Sequence, residues 1–295
     1  MLLLNFSAFT GNLLMCVVLY KKPRFHTTAN TFILSLTICH VFTASLVMPF
    51  TAGSLVVGEW TFGQSLCGIQ GFVFLTLTWV SLQLLTIMVV CRCFKVTQMV
   101  FHNKWFALNR SFGMIMTIWV FDVVVLIFPA ILGGATFQFS PKRSLPCTRH
   151  LSREDQTVNI LNTVITLALY VTLLITSIMA LYAIRRNAAT SRARRRVTVV
   201  DMRIAAEEKR SDKVLLALTT EVLLTWMPIV IILLMEPVMV ISPQVHLASA
   251  FLWFSVPVLH PVTCGVLYRP FSREVPRVAP SKRLRSNKVH AEHTI

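Results

Sequence analysis

Seven hydrophobic runs dominate the chain, near residues 1–20, 29–57, 65–97, 111–133, 157–184, 212–235 and 245–268. Polar and basic side chains gather in the short stretches between them. A run of about 20 apolar residues is long enough to cross a bilayer core of roughly 30 Å. Lipid offers the backbone no hydrogen-bond partners, so each run is expected to satisfy its own polar groups as a helix. The intervening loops are too short for an additional soluble domain, and neither a repeat period nor inverted halves can be seen. The pattern predicts an all-α membrane protein: one seven-helix domain over residues 1–276, then a basic, polar, disordered tail over 277–295.

Composition agrees with burial in lipid. Mean hydropathy is +0.68, and only 14% of residues are charged, too few for an ordinary soluble surface. The net charge of +16 raises nucleic acid as a partner, but its distribution argues against one. The stretches on one side hold 24 of the 28 basic residues, whereas the other side has Lys142, Arg143, Arg149 and Arg153. This is the positive-inside bias; it predicts an N-terminus outside and a cytosolic tail. Basic residues placed beside membrane helices meet anionic lipid, so membrane lipid is the expected partner of this charge and nucleic acid is not.

The runs also carry an ordered set of marks. Gly11-Asn12 lies in the first and Leu34-Ser35-Leu36 in the second, and Cys67 and Arg92 bracket the third. Trp119 and Pro129 lie in the fourth, Trp226-Met227-Pro228 in the sixth and His260-Pro261 in the seventh. None is specific alone. Their order and spacing resemble the rhodopsin-like (class A) G-protein-coupled receptors over almost the whole chain. The resemblance implies a receptor, not an enzyme, that passes a signal or high basal activity to heterotrimeric G proteins through movement of the sixth helix. It implies no cofactor and no resident metal. A receptor-like protein that no longer couples, and serves as a partner or trafficking subunit, is the alternative. In the family a soluble outer arm precedes the first helix; only 11 residues precede Asn12, which reads as a truncated or alternatively started form.

The resemblance also assigns roles. Cys67 and Cys147 match the family's bridge between the second outer loop and the third helix, and both sit on the oxidising side. Two unrelated thiols are the bland reading. Asn12, His40, Ser81 and His260 match a polar core that joins the first, second, third and seventh helices. The family places Asp where His40 stands and Asn where His260 stands, and it usually binds sodium there. An imidazole cannot replace an anionic ligand for a hard cation, so the sodium site is expected to be lost. For the two imidazoles three readings stay open: a neutral packed pair, a proton-sensitive pair, or a metal site with Cys264.

Arg92 lies in Cys91-Arg92-Cys93 where the family has Asp-Arg-Tyr. Glu208, twenty residues before Pro228, matches the acidic partner of the family's lock between the third and sixth helices. One local restraint on Arg92 is therefore gone and one is expected to remain, which points to raised basal activity. Trp226, Pro228 and Pro261 match the family's activation switches; a helix proline removes a ladder bond and makes a hinge. His260-Pro261-Val262-Thr263-Cys264 lacks the Asn and the Tyr of the family's seventh-helix motif, and Tyr268-Arg269-Pro270-Phe271 resembles the start of a short amphipathic helix. Asp122 and Glu221 are two further intramembrane charges without an assigned role.

Candidate pocket residues follow from the same alignment of marks: Phe74, Leu75 and Thr78 in the third helix, Ile229, Val230 and Leu233 in the sixth, and Ala250 and Phe254 in the seventh. Amine receptors carry Asp where Phe74 stands, and opsins carry the retinal lysine where Phe254 stands. An apolar pocket suits an unknown lipid-like ligand, or none. Arrestin and a second receptor copy are further partners that the resemblance implies. Leu19-Tyr20-Lys21-Lys22-Pro23, Glu59-Trp60-Thr61-Phe62-Gly63 and Thr225-Trp226 are similar to a family member of primary cilia linked to Hedgehog signalling. The expected location is the plasma membrane, with the ciliary membrane as the special case.

Overall fold

In a computed structural model of the chain, residues 1–22, 27–131, 136–138, 147–150, 156–193, 199–235 and 239–268 are described. Seven helices are long and apolar enough to cross a membrane. They are α1 (Leu2–Lys21), α2 (Thr28–Val57), α3 (Gln64–Thr97), α4 (Leu108–Ile131), α5 (Gln156–Ala193), α6 (Val199–Met235) and α7 (Pro243–Leu267). A two-turn helix, Met99–Trp105, lies between α3 and α4. The amphipathic helix expected after α7 and the tail 277–295 lie outside the described residues.

The helices form a bundle around α3, which packs against α2, α4, α5 and α6, while α1 lies between α2 and α7. Trp79, Leu82, Leu84 and Leu85 of α3 are almost completely buried. Outward faces of α4, α5 and α6 keep large apolar side chains such as Phe121, Ile178 and Leu224 exposed. That is the pattern for helices surrounded by lipid rather than water. One end of the bundle carries Lys21, Arg92 and Arg110, and is called the basic end below; the other carries Cys67 and is the disulfide end.

Three features depart from the pattern read in the sequence. First, α5 runs on to Ala193 and α6 begins at Val199, well outside the hydrophobic runs. The extensions are rich in Arg, Ala, Glu and Lys, which favour helix without favouring lipid. Second, the all-α bundle carries a short strand pair between α4 and α5. Thr136–Gln138 pairs antiparallel with Thr148–His150, with Phe137 opposite Arg149. Cys147 stands directly before the second strand and is bonded to Cys67, so the hairpin is tethered to the start of α3. Third, α2 contains a π turn over Thr43–Val47, just before Pro49. Proline at 49 cannot donate to the carbonyl four residues back, and a π turn is a common way to absorb such a gap.

Close approach of α1 and α7 depends on Gly11. A Cβ built there would lie 2.8 Å from Cγ of Pro261, closer than side chains pack. Gly11→Ala is therefore expected to push the two helices apart and cost about 1–3 kcal/mol. A lowered thermal midpoint of the detergent-solubilised protein checks this; an unchanged midpoint would mean that α1 yields freely.

Candidate functional site

Three groups of side chains run through the bundle, one behind another. The polar core comes first. Pro261 has no N–H to give to the carbonyl of Pro257, four residues earlier in α7. Asn12 supplies the missing donor: its Nδ2 lies 2.6 Å from that carbonyl oxygen and also bonds the Ala8 carbonyl at 2.7 Å. Asn12 is fully buried. Asn12→Leu would leave the Pro257 carbonyl unsatisfied, at a cost of about 1–3 kcal/mol. The expected readout is reduced thermal stability, with Asn12→Asp keeping an acceptor but failing to restore it.

His40 and His260 meet edge to face, with ring centroids 4.7 Å apart, and both are buried. Nδ1 of His40 and Nε2 of His260 find no partner among the described residues. No cluster of three His, Cys, Asp or Glu side chains able to hold a metal ion occurs among them. Ser81, buried on α3, donates to its own helix at Leu77 and lies against the Cys39 thiol of α2. The two unassigned carboxylates both face other helices: Asp122 accepts from Gln83 of α3 at 2.7 Å, and Glu221 accepts from Thr263 of α7 at 3.1 Å.

The second group is aromatic. Phe74 packs on Trp253 (4.6 Å between ring centres), and Trp253 packs on Trp226 (5.4 Å) and on Phe254 (4.9 Å). A continuous column thus joins the pocket position on α3 to the tryptophan before the α6 proline. Thr78, Val230, Ala250 and Phe254 are buried, while Phe74, Leu75, Ile229 and Leu233 are partly buried. At the α6 hinge, Pro228 frees carbonyls of the preceding turn. The Tyr170 hydroxyl of α5 donates to the carbonyl of Leu223, one residue before the Leu224 carbonyl that Pro228 leaves without its ladder donor.

The third group closes the basic end between α3 and α6. Arg92 holds Asp212 through two contacts, Nη2 to Oδ2 at 2.9 Å and Nε to Oδ1. Arg92 is 10% and Asp212 16% exposed, so the pair is largely shielded from water. Glu208 lies 3.9 Å from Arg92 and bonds Lys95 at 3.1 Å instead; it is 39% exposed. The carboxylate that directly engages Arg92 is thus one helical turn further along α6 than the sequence pattern indicated. Behind Arg92, the Cys91 thiol meets Nε2 of His102 at 3.5 Å.

The disulfide end is fixed by Cys67–Cys147, whose Cα atoms are 5.4 Å apart. Gln70 secures it further: its amide donates to the Val47 carbonyl at 3.1 Å and to Thr51 at 3.0 Å, and its oxygen accepts from the Cys147 N–H at 3.1 Å. Trp60 and Phe62 of the Glu59–Gly63 motif meet edge to face with ring centres 5.1 Å apart, and Phe62 covers Gly53. Asp212, Tyr170, Trp253 and Gln70 were not singled out in the sequence. Asp212 stands four residues after Glu208, the one spacing that could have exposed it.

Comparison with known proteins agrees with this architecture. The profile of the rhodopsin family of seven-transmembrane receptors matches residues 11–264. This chain belongs to that family, and is a seven-span membrane protein of the receptor class. It is similar to G-protein coupled receptor 161 of Danio rerio, at 30% identity over 129 residues, which is 44% of this chain and 24% of that protein. It is also similar to the high-affinity lysophosphatidic acid receptor of Xenopus laevis, at 26% identity over 50% of this chain and 38% of that protein. Squid rhodopsin superimposes with a TM-score of 0.79 at 17% identity, over 94% of this chain and 83% of that one. The sequence matches span about a quarter to two-fifths of those curated relatives' lengths.

Proposed function

We propose that this protein couples a conformational change in its helix bundle to heterotrimeric G proteins, with α6 as the moving element. The basic end is then cytosolic, the N-terminus and disulfide end lie outside, and the protein works at the plasma membrane, including that of the primary cilium. The observation that carries the reading is the shielded Arg92–Asp212 pair between α3 and α6. Holding α6 against α3 keeps the cytosolic face closed, and outward movement of α6 about Pro228 frees Arg92 for the G protein. Cys91 occupies the place of a local carboxylate, so the closed state rests on the α6 carboxylates. This supports measurable basal activity.

The ligand side is apolar. Phe74, Trp253 and Phe254 offer no counter-ion to an amine, so a monoamine is not the proposed ligand. A lipid-like ligand, or none, fits the aromatic column better. Movement of Trp253 would pass directly to Trp226, and from there to the α6 hinge.

The test is basal cAMP and calcium signalling in cells displaying the chain, beside Arg92→Ala at matched surface level. Coupling predicts output above mock-transfected cells that falls close to mock in the variant. Output equal to mock in both, at full surface display, would contradict basal coupling and favour the non-coupling partner role. His260 and Cys264, in place of the family's Asn and Tyr, are the residues that keep that second reading in view.

A further inference from the structure

Glu221 is a carboxyl group in surroundings that offer it little. Residues 214–235 of α6 hold no other Asp, Glu, Lys or Arg, and α7 (Pro243–Leu267) holds none at all. No basic side chain on these stretches of the two helices can therefore pair with it. Its partner is Thr263 of α7, whose hydroxyl donates to Oε2 at 3.1 Å. Oε1 is buried and finds no partner among the described residues. A carboxyl inside a membrane helix is costly, and by default it marks a functional position.

The two ends of this bond differ in freedom. Thr263 stands two residues after Pro261, on the part of α7 held against α1 by the close approach at Gly11 and the bond from Asn12 to Pro257. Glu221 stands on the part of α6 that swings. It lies seven residues before Pro228, about 10 Å along the helix, whereas Asp212 lies sixteen residues before it, about 24 Å. A hinge rotation that carries Asp212 about 5 Å from Arg92 moves Glu221 by about 2 Å on the same lever. A hydrogen bond of 3.1 Å does not survive that displacement. Opening at the basic end thus requires this bond to break as well.

We propose that Glu221 is a positioning residue: with Thr263 it forms a second latch that holds α6 closed, nearer the hinge than the Arg92–Asp212 pair. This rests on the reading of α6 as the moving element. The first latch is an ion pair to α3, and the second is a hydroxyl–carboxyl bond to α7. They stand about 13 Å apart along α6 and share no side chain, so their contributions add. Release of Arg92 alone leaves α6 still tied to α7.

The experiment reads the position of α6 directly, without a G protein. Ketone-bearing amino acids replace Lys104, on the short helix between α3 and α4, and Lys209 on α6; both side chains are exposed. Spin labels coupled to the ketones leave the native cysteines untouched. Pulsed dipolar spectroscopy of the full chain in nanodiscs then gives the ratio of long (open) to short (closed) distances. Thr263→Val keeps the side chain's shape, removes the donor and is expected to raise this ratio about fivefold. Glu221→Leu should do the same, and the two together no more than either alone. Thr263→Ser and Glu221→Gln keep a donor and an acceptor and should leave the ratio unchanged. Asp212→Ala combined with Thr263→Val should multiply the two single effects. Should Glu221→Leu fail to fold, Thr263→Val beside Thr263→Ser carries the test. A lowered melting temperature for Thr263→Val with an unchanged ratio would mean a merely structural bond and would overturn the proposal. So would a ratio for Thr263→Ser as high as that for Thr263→Val. If Asp212→Ala opens α6 and the Glu221 and Thr263 variants do not, the second latch alone is refuted. If none of them opens it, the reading of α6 as the moving element falls too.

Discussion

Asp212→Ala is expected to raise basal signalling by roughly tenfold or more. The Arg92–Asp212 pair makes two contacts between α3 and α6 and is largely shielded from water. A charge-assisted, bidentate pair in such a setting contributes about 2 kcal/mol to the state that contains it. Losing that contribution shifts a two-state equilibrium by roughly 30-fold. If the active state is initially about 1% populated, a typical minor-state level, most of this shift appears as output. Glu208→Gln should act in the same direction but much less, because Glu208 is more exposed, lies farther from Arg92 and is shared with Lys95. The signs separate a lock from a mere structural ion pair. Removing Asp212 frees Arg92, whereas Arg92→Ala removes the group that would meet the G protein. A purely structural pair would lose function from either side. Second-messenger output at matched surface level reads both.

The second large effect is expected from the disulfide. Cys67 and Cys147 are 80 residues apart in the chain. Releasing a loop of that length costs about 4 kcal/mol in the chain-entropy account. Membrane insertion already restricts the unfolded helices, so that figure is an upper value. The hairpin that includes Cys147 is also tied to α2 through Gln70, and this tie weakens with the bridge. Cys67→Ser should reduce surface display severalfold, by flow cytometry of an outer epitope, and lower the melting temperature of what remains. Cys39→Ser, which touches a free buried thiol, should leave display near normal. Equal display of Cys67→Ser and the unaltered chain would show that the bridge is dispensable.

The seven spans were legible because lipid imposes one rule on every residue of a crossing helix. The polar ends of α5 and α6 were not, since hydropathy is silent where helix leaves the bilayer. The π turn in α2 and the hairpin before α5 depend on local backbone gaps and on a distant cysteine, neither of which has a period. Site residues divide the same way. Arg92, Trp226, Pro228 and Pro261 stand in recognisable motifs. Asn12 was marked as a tie between helices, and the structure gives the tie its chemistry: a donor for the carbonyl that Pro261 leaves open. Glu208 was expected opposite Arg92 from its distance to Pro228. One turn of α6 decides the issue, and Asp212 takes the place at Arg92. Trp253 escaped attention because it adjoins Phe254, the position that the family pattern marks. Tyr170 had no motif at all. It bonds the Leu223 carbonyl of α6, beside the gap that Pro228 leaves.

The most direct measurement is guanine-nucleotide exchange on purified heterotrimeric G proteins, driven by the chain reconstituted in lipid nanodiscs, with Asp212→Ala and Arg92→Ala alongside. The account predicts exchange above the receptor-free rate for the unaltered chain, a higher rate for Asp212→Ala and a rate near background for Arg92→Ala. Background exchange by all three, across representatives of every G-protein class and with correctly folded protein, would contradict it.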